Sequence, residues 1–114
     1  MPPKRNPLKL NKLQLRTLAL AQVLAAEPTL AQRDEDSGDV TLLRIPPPHG
    51  NHMHVGAHVV SLRDASGLNN PAVWLALERK GLARPGDGLT RVLTADGVAY
   101  DTGFGEALMT PADH

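Results

Sequence analysis

The stretch that decides the fold is LRDASGLNNPAVWLAL, residues 62–77. Its apolar residues fall into two short groups on either side of Gly67, a residue that can adopt a positive φ without steric cost. The pattern predicts two short helices joined by a turn, with Leu62 anchoring the first helix and Gly67 supplying a positive φ. Leu68 is then expected to enter the core directly after the turn.

The second of these helices has clear predicted boundaries. Asn69 or Asn70 can accept hydrogen bonds from the unpaired backbone N–H groups at its start, and Pro71 suits a first helical turn. Val73 and Leu77 are four residues apart, so they share one face of the helix. We expect that face to be buried.

These residues, in this order, resemble a helix-turn-helix motif without a gap. The residues that follow extend the resemblance to the winged form of the motif. Gly81 is placed to end the second helix as a C-cap glycine, and PGDG at 85–88 predicts a turn between short strands at 82–84 and 89–94. The resemblance implies a DNA-binding domain.

Two further segments fit the same resemblance. Residues 94–100, TADGVAY, look like the threonine-capped helix that closes many winged-helix domains, and Tyr100, Phe104 and Leu108 continue at helical spacing. At the other end, residues 10–18, LNKLQLRTL, are similar to the first helix of regulators of the multiple-antibiotic-resistance type.

Asn11 is predicted to cap a first helix over residues 12–26 that ends before Pro28. Its leucines do not all share one side. Leu13, Leu20 and Leu24 lie on one face, whereas Leu15 and Leu18 point elsewhere. A helix that is apolar on more than one side is either central to the fold or part of a subunit interface. We therefore assign Leu15 and Leu18 to the interface of a predicted homodimer.

A histidine-rich β-hairpin is predicted between the first helix and the helix-turn-helix. Residues 31–39 lack apolar periodicity and are expected to form a loop, while residues 40–45 form a short strand that three prolines stop. From residue 51 polar and apolar residues alternate, which indicates a strand with its apolar half turned inward.

The predicted fold class is therefore α/β (α+β): a winged helix-turn-helix with this extra hairpin. Residues 1–10 are expected to form a flexible basic arm, and residues 11–110 a single domain.

Composition is that of one small globular domain, since the 114 residues are 41% hydrophobic, enough for one core. The chain has no cysteine, which excludes disulfides, thiolate metal sites and cysteine nucleophiles. No apolar run approaches the roughly 18 to 20 residues of a membrane helix. We expect a cytoplasmic location and no membrane partner.

Duplex DNA is the partner that the resemblance implies. The first 16 residues carry five positive charges and no negative one, although the net charge of the chain is zero. Asn69 and Asn70 are candidates for contacts to base edges, because amide side chains can read them. The candidate phosphate ligands are Arg79, Lys80, Arg84 and Arg91.

Trp74 and Leu75 stand where a DNA-reading helix usually exposes polar residues. An exposed apolar pair favours a protein interface instead, where tryptophan is a frequent anchor. A buried position in the core is the alternative for Trp74. DNA binding and protein interaction therefore both remain open.

Four of the five histidines fall within ten residues: His49, His52, His54 and His58. On one strand over residues 51–60, His52, His54 and His58 line one face; on a helix, His54 and His58 lie one turn apart. Imidazole suits zinc, nickel and copper, so these histidines are a candidate metal site. The alternative is a polar strand face in contact with solvent.

The whole chain is also similar to small uncharacterised bacterial proteins with a His-Gly-x-His-x-His-Val-Gly segment, a resemblance that implies no activity.

No catalytic residue is assigned. Ser61 and Ser66 lie near Asp64 in sequence, but neither has the glycines of a nucleophile elbow. Residues 86–88, GDG, lack the lysine of a phosphate-binding loop. We do not expect an enzyme.

Overall fold

The computed structural model describes residues 7–43, 45, 48–49, 52–55, 58–61, 66–87, 90–103 and 110–111, and for residues 48–49, 52–55, 58 and 110–111 it describes the backbone only. In chain order the elements are α1 (Lys12–Ala25), β1 (Ala31–Arg33), β2 (Val40–Leu42), β3 (Pro48–His49), β4 (His52–Val55), β5 (His58–Ser61), a 3₁₀ helix (Ser66–Asn69), α2 (Pro71–Arg79), β6 (Ala83–Pro85), β7 (Arg91–Leu93), α3 (Ala95–Ala99) and β8 (Thr110–Pro111). The fold is thus mixed α+β.

The start of α1 confirms the predicted cap. The Asn11 side chain accepts a hydrogen bond from the backbone N–H of Gln14 at 2.8 Å, and the Gln14 side chain accepts one from the backbone N–H of Asn11 at 3.0 Å. This reciprocal pair is a capping box, which satisfies two backbone donors that the first helical turn cannot pair. The sequence therefore located the beginning of α1 correctly.

The leucines of α1 correct one prediction. Leu18 is completely buried within the chain, together with Leu20 and Leu24, so it has no surface left for a subunit contact. Leu15 is half-buried and packs against the same core. The helix is apolar on more than one side because it is central to the fold, which was the other explanation of its pattern. The homodimer itself stays a prediction.

The main sheet has four antiparallel strands in the order β1-β2-β7-β6. Strand β2 confirms the strand predicted from Val40, and the β6–β7 hairpin confirms the pair predicted around the PGDG turn. The expected loop at 31–39 is wrong in its first three residues, because these form β1 against β2. The tight turn at 34–39 closes that hairpin, where Asp34 exchanges backbone hydrogen bonds with Gly38 and Asp39.

A second sheet, in the order β3-β4-β5-β8, contains the histidine segment. The single strand expected from residue 51 is wrong, because β4 ends at Val55 and β5 begins at His58 and pairs back on it antiparallel. Met53 of β4 pairs with Val60, which is completely buried. One face of this sheet therefore lies against the core, but the predicted alternation is wrong on β5, because Val59, expected on the inner face, pairs with His54 and lies on the other face.

Gly67 has a role different from the predicted one. It lies within the 3₁₀ helix and does not have a positive φ. Instead it packs directly against α1, where a Cβ at this position would overlap the hydroxyl of Thr17. A glycine is needed here because two backbones approach closely, not because the chain turns left-handed. Leu62, the predicted anchor of the first helix of the motif, lies outside the described residues, as do residues 63–65.

Helix α2 matches its predicted boundaries. The Asn70 side chain caps it by accepting a hydrogen bond from Ala72 N–H at 3.0 Å, and Pro71 is its first residue. Gly81 follows its end with φ of +77°, and Leu82 N–H donates to Leu77 O at 3.0 Å, which pairs one of the last carbonyls of the helix. The predicted core residues Leu68, Val73 and Leu77 are all buried.

Helix α3 begins, as predicted, at a threonine cap: Thr94 Oγ1 accepts from Gly97 N–H at 3.1 Å and donates to Gly81 O at 2.7 Å. It ends at Ala99, so Tyr100 is not part of the predicted helical stripe; its backbone is extended. The Tyr100 hydroxyl instead accepts a hydrogen bond from Leu8 N–H at 3.1 Å. Phe104 and Leu108 lie outside the described residues.

Candidate nucleic-acid interface

Helix α2 has one buried side and one exposed side. Val73, Trp74 and Leu77 are buried against the rest of the domain. The exposed residues Ala72, Leu75 and Arg79 of α2 are three or four positions apart, so they follow one line along its outer surface. Asn69, at the end of the preceding 3₁₀ helix, is also exposed. We call these four residues the outer stripe. It begins with an amide in the 3₁₀ helix, is apolar in the middle and ends with a cation.

Trp74 is a core residue and not an exposed anchor. Its side chain is 0% exposed, and its indole Nε1–H donates a hydrogen bond to Leu68 O at 2.8 Å. The predicted interface role of Trp74 is therefore corrected, because no part of the ring remains available to a partner. Leu75, the other residue of that predicted pair, is 47% exposed. The sequence could not separate these two neighbours, since both are large and apolar.

The β6–β7 hairpin returns to the first half of α2. Arg91 pairs with Pro85 at the end of the hairpin next to its connecting turn. The guanidinium carbon of Arg91 lies 5.6 Å from the centroid of the Trp74 ring, a cation–π distance. Because Trp74 is the fourth residue of α2, this contact places the turn end of the hairpin beside the start of the helix. The contact joins the hairpin to the buried side of α2, because the ring of Trp74 is turned away from the outer stripe.

The turn of this hairpin is closed locally. Thr90 donates both its backbone N–H, at 3.1 Å, and its hydroxyl, at 2.7 Å, to Asp87 O. A Cβ at Gly86 would overlap Thr90, which explains a glycine at this position of the predicted turn. Residues 88–89 of the turn lie outside the described residues.

The structure separates the predicted phosphate ligands into two groups. Arg79 and Lys80 are exposed at the end of α2. Arg84 is also exposed, but its Nε lies 3.6 Å from Asp39 Oδ2. Asp39 in turn accepts a hydrogen bond from Ala95 N–H at 3.0 Å. An exposed ion pair of this kind contributes little to stability, yet it offsets the charge that Arg84 offers to a phosphate.

Asn69 and Asn70 have different roles. Asn69 is exposed at the end of the 3₁₀ helix, next to α2. Asn70 is half-buried and uses its side-chain oxygen as the cap of α2. Of the two candidate readers of base edges, Asn69 is therefore the one that lies on the outer stripe.

The acidic turn between β1 and β2 lies away from the turn of the β6–β7 hairpin, although that turn carries one exposed acidic residue of its own, Asp87. Asp34, Glu35 and Asp36 are exposed in the turn between β1 and β2. That turn adjoins the pair Arg33↔Val40, and Val40 in turn pairs with Leu93 at the base of β7. The acidic turn and the β6–β7 turn are therefore at opposite ends of the sheet.

The beginning of the described chain packs beside the end of α2. Leu10 is buried, and Pro7 and Leu8 line a shallow groove of about 400 Å³. Lys80 and Tyr100 line the same groove. Residues 7–10 of the predicted basic arm thus lie against the domain, with Lys9 exposed. Residues 1–6 are outside the described residues.

The strand register places the four histidine positions on two different faces of the second sheet. His49 and His52 are direct partners across β3 and β4, and position 54 lies two residues further along β4, so these three positions share one face of the sheet. His58 pairs with Val55, which places position 58 on the other face. The expectation that His52, His54 and His58 line one face is thereby corrected. Among the side chains that the structure describes, which do not include these four, no group of three His, Asp or Glu could hold a metal ion.

Comparison of the chain with family models, with curated proteins and with solved structures finds no match. None of the helices in the described ranges combines the length and the apolar character that crossing a membrane requires.

Proposed function

We propose that this chain is a winged-helix domain that binds duplex DNA through the outer stripe of α2 and the β6–β7 hairpin. The observation that carries the proposal is the position of Arg91 over Trp74, because it places the turn end of the hairpin beside the start of α2. A helix in the major groove and a hairpin on the adjacent DNA backbone must reach the same duplex, so the proposal includes that the hairpin turn extends past the start of α2 to the side of the outer stripe.

The order of the elements supports this assignment. Helix α1 is followed by β2, then by the 3₁₀ helix and α2, and then by the β6–β7 hairpin. In the main sheet β2 is next to β7 and not next to β6. A winged helix has the same arrangement, with its early strand beside the last strand of the wing. The second sheet and β1 are then additions to that arrangement.

The charges support a contact dominated by phosphates. Arg79, Lys80 and Arg91 are the basic residues at α2 and at the turn end of the hairpin, and Glu78 and Asp87 offset part of their charge. The acidic turn between β1 and β2 lies at the other end of the sheet. The stripe between them offers Asn69 for base edges, and Ala72 and Leu75 for apolar contact with a thymine methyl group. So few reading groups predict low discrimination between sequences.

The test is binding of the purified chain to a short duplex, measured by fluorescence anisotropy over a range of salt concentrations. Three phosphate contacts predict that log Kobs falls with log salt with a slope of about −2.7. Replacement of Arg79 by alanine should bring the slope to about −1.8, since one contact is lost. Arg33 is exposed on the outermost strand of the sheet, so R33A is the matched control and should leave the slope unchanged. Binding that is equally weak at low and high salt would overturn the proposal.

A protein partner is the second candidate, because Leu75 is a large apolar residue that is 47% exposed in the middle of the outer stripe. An exposed apolar side chain of this kind is well suited to a protein interface. In the hydrated, charged groove of DNA it contributes little binding free energy. A partner that binds here would be displaced by a charge at position 75. The same substitution would leave phosphate contacts in place.

A further inference from the structure

The backbone register of the second sheet brings three histidines together. His49 and His52 are paired across β3 and β4, where partner Cα atoms are about 4.5 to 5.5 Å apart. Position 54 follows two residues along the same strand, about 6.6 Å from position 52. Position 52 is therefore central, with one histidine across the strand pair and one along it.

The face that carries these three positions is the one turned away from the core. On the neighbouring strand β5, Val60 is completely buried whereas Ser61 is exposed. Ser61 is the partner of His52, so positions 49, 52 and 54 lie on the face of Ser61. Position 58 lies on the face of Val60, two residues away along β5. The same sheet thus holds three histidine positions on its outer face and one on its inner face.

We propose that His49, His52 and His54 form a binding site for a divalent transition metal ion, zinc, nickel or copper, and that His58 is not a ligand. Neutral imidazole is a good ligand for all three metals. Positions on paired strands and on alternate residues of one strand are close enough for their imidazoles to bind one ion at a metal–nitrogen distance of about 2.0 to 2.1 Å. Three protein ligands leave a further coordination position to water or to a small ligand.

The site does not depend on the fold assignment above. It requires the hairpin between β3 and β4 and its register, whereas the DNA proposal requires α2 and the β6–β7 hairpin. Loss of one activity in a variant need not affect the other. The two proposals can therefore fail separately.

The experiment uses the full chain without an added histidine tag. Zinc uptake is measured by competition with a chromophoric chelator, and one ion per chain is expected. Each of H49Q, H52Q and H54Q should weaken zinc binding by at least about tenfold, because each removes one ligand. H58Q is the matched control, since it removes a histidine from the inner face of the same sheet, and it should bind zinc as the unchanged chain does.

A second measurement detects the ligand directly. The chain has no cysteine, so H54C introduces a unique thiol, and a thiolate is itself a good metal ligand. With Co²⁺, H54C should develop a thiolate-to-cobalt absorption band in the near ultraviolet, whereas H58C should not. A chain that fails to compete for zinc would overturn the proposal. So would an equal loss of zinc affinity in H58Q, or the same cobalt band in H54C and H58C.

Discussion

Gly67 lies so close to Thr17 of α1 that a Cβ on residue 67 would overlap the Thr17 hydroxyl. This contact joins the 3₁₀ helix to the middle of α1, and it predicts the effect of G67A. Because the added methyl has no space, the two helices must move apart, and overpacking of this kind costs about 1–3 kcal/mol. The measurement is the free energy of unfolding from urea denaturation, followed by circular dichroism.

The control for this prediction is T17A, because Thr17 is the other residue of the contact with Gly67. The Thr17 hydroxyl is buried and has no hydrogen-bond partner among the described residues, so its loss in T17A should cost little. T17A also removes a buried methyl group, which should cost about 0.5–1.5 kcal/mol. In the double variant T17A/G67A the overlapping oxygen is gone, and part of the cost of G67A should be recovered. If the free-energy changes of T17A and G67A simply add in the double variant, the contact with the Thr17 hydroxyl is not the reason that residue 67 must be glycine.

A second prediction concerns the indole of Trp74. In W74F the ring stays apolar, but the hydrogen bond to Leu68 O is lost and a buried carbonyl is left without its partner. We expect unfolding to become easier by about 1–3 kcal/mol, with the helical circular dichroism signal retained. L75A is the matched control on the exposed side of the same helix, and it should change stability by no more than about 0.5 kcal/mol. Equal effects of the two changes would contradict the assignment of Trp74 to the core.

The local elements were largely predictable from the sequence. Asn11, Asn70 and Thr94 each cap the helix that their side-chain chemistry predicted, and Gly81 ends α2 with a positive φ. Caps depend on residues within one helical turn, so a single sequence carries the whole signal. Elements defined by long-range pairing were harder, as β1 shows: its residues have no strand pattern and become a strand only by pairing with β2.

The candidate sites were only partly predictable, for the same reason. The sequence identified the cations of α2 and the hairpin, but the contact of Arg91 with Trp74 and the ion pair of Arg84 with Asp39 join residues far apart in the chain. For the histidines, the alternation of polar and apolar residues predicts a strand but not its register. Because β5 pairs back on β4 with His58 opposite Val55, position 58 lies on the opposite face, and no residue pattern on a single strand reveals that register.

A third prediction separates two arginines that the sequence treated alike. Arg91 stacks on Trp74, so R91A should lower both stability, by about 0.5–1 kcal/mol, and the salt dependence of DNA binding. Arg79 is exposed at the end of α2, and R79A should lower the salt dependence without a measurable change in unfolding. Thermal unfolding and anisotropy titrations on the same samples provide both measurements. A stable R91A with an unchanged salt slope would contradict both roles of Arg91.

A fourth prediction decides between the two proposed partners of the outer stripe. Leu75 lies between Asn69 and Arg79 on that stripe, so a lysine at position 75 adds a cation where the duplex is proposed to lie. If the partner is DNA, L75K should bind more tightly at low salt, and the slope should steepen by about 0.9 for one additional phosphate contact. Anisotropy with the same duplex measures both quantities.

Q32K is the matched control for this substitution. Gln32 is exposed on β1, the edge strand of the main sheet that is separated from the β6–β7 hairpin by β2. A lysine there adds the same charge to the chain but should not steepen the salt slope. If the stripe instead binds a protein, an apolar contact is replaced by a charge that must be desolvated. L75K would then weaken association with that partner, or with a second copy of the chain in sedimentation, and would leave DNA affinity no better than in Q32K.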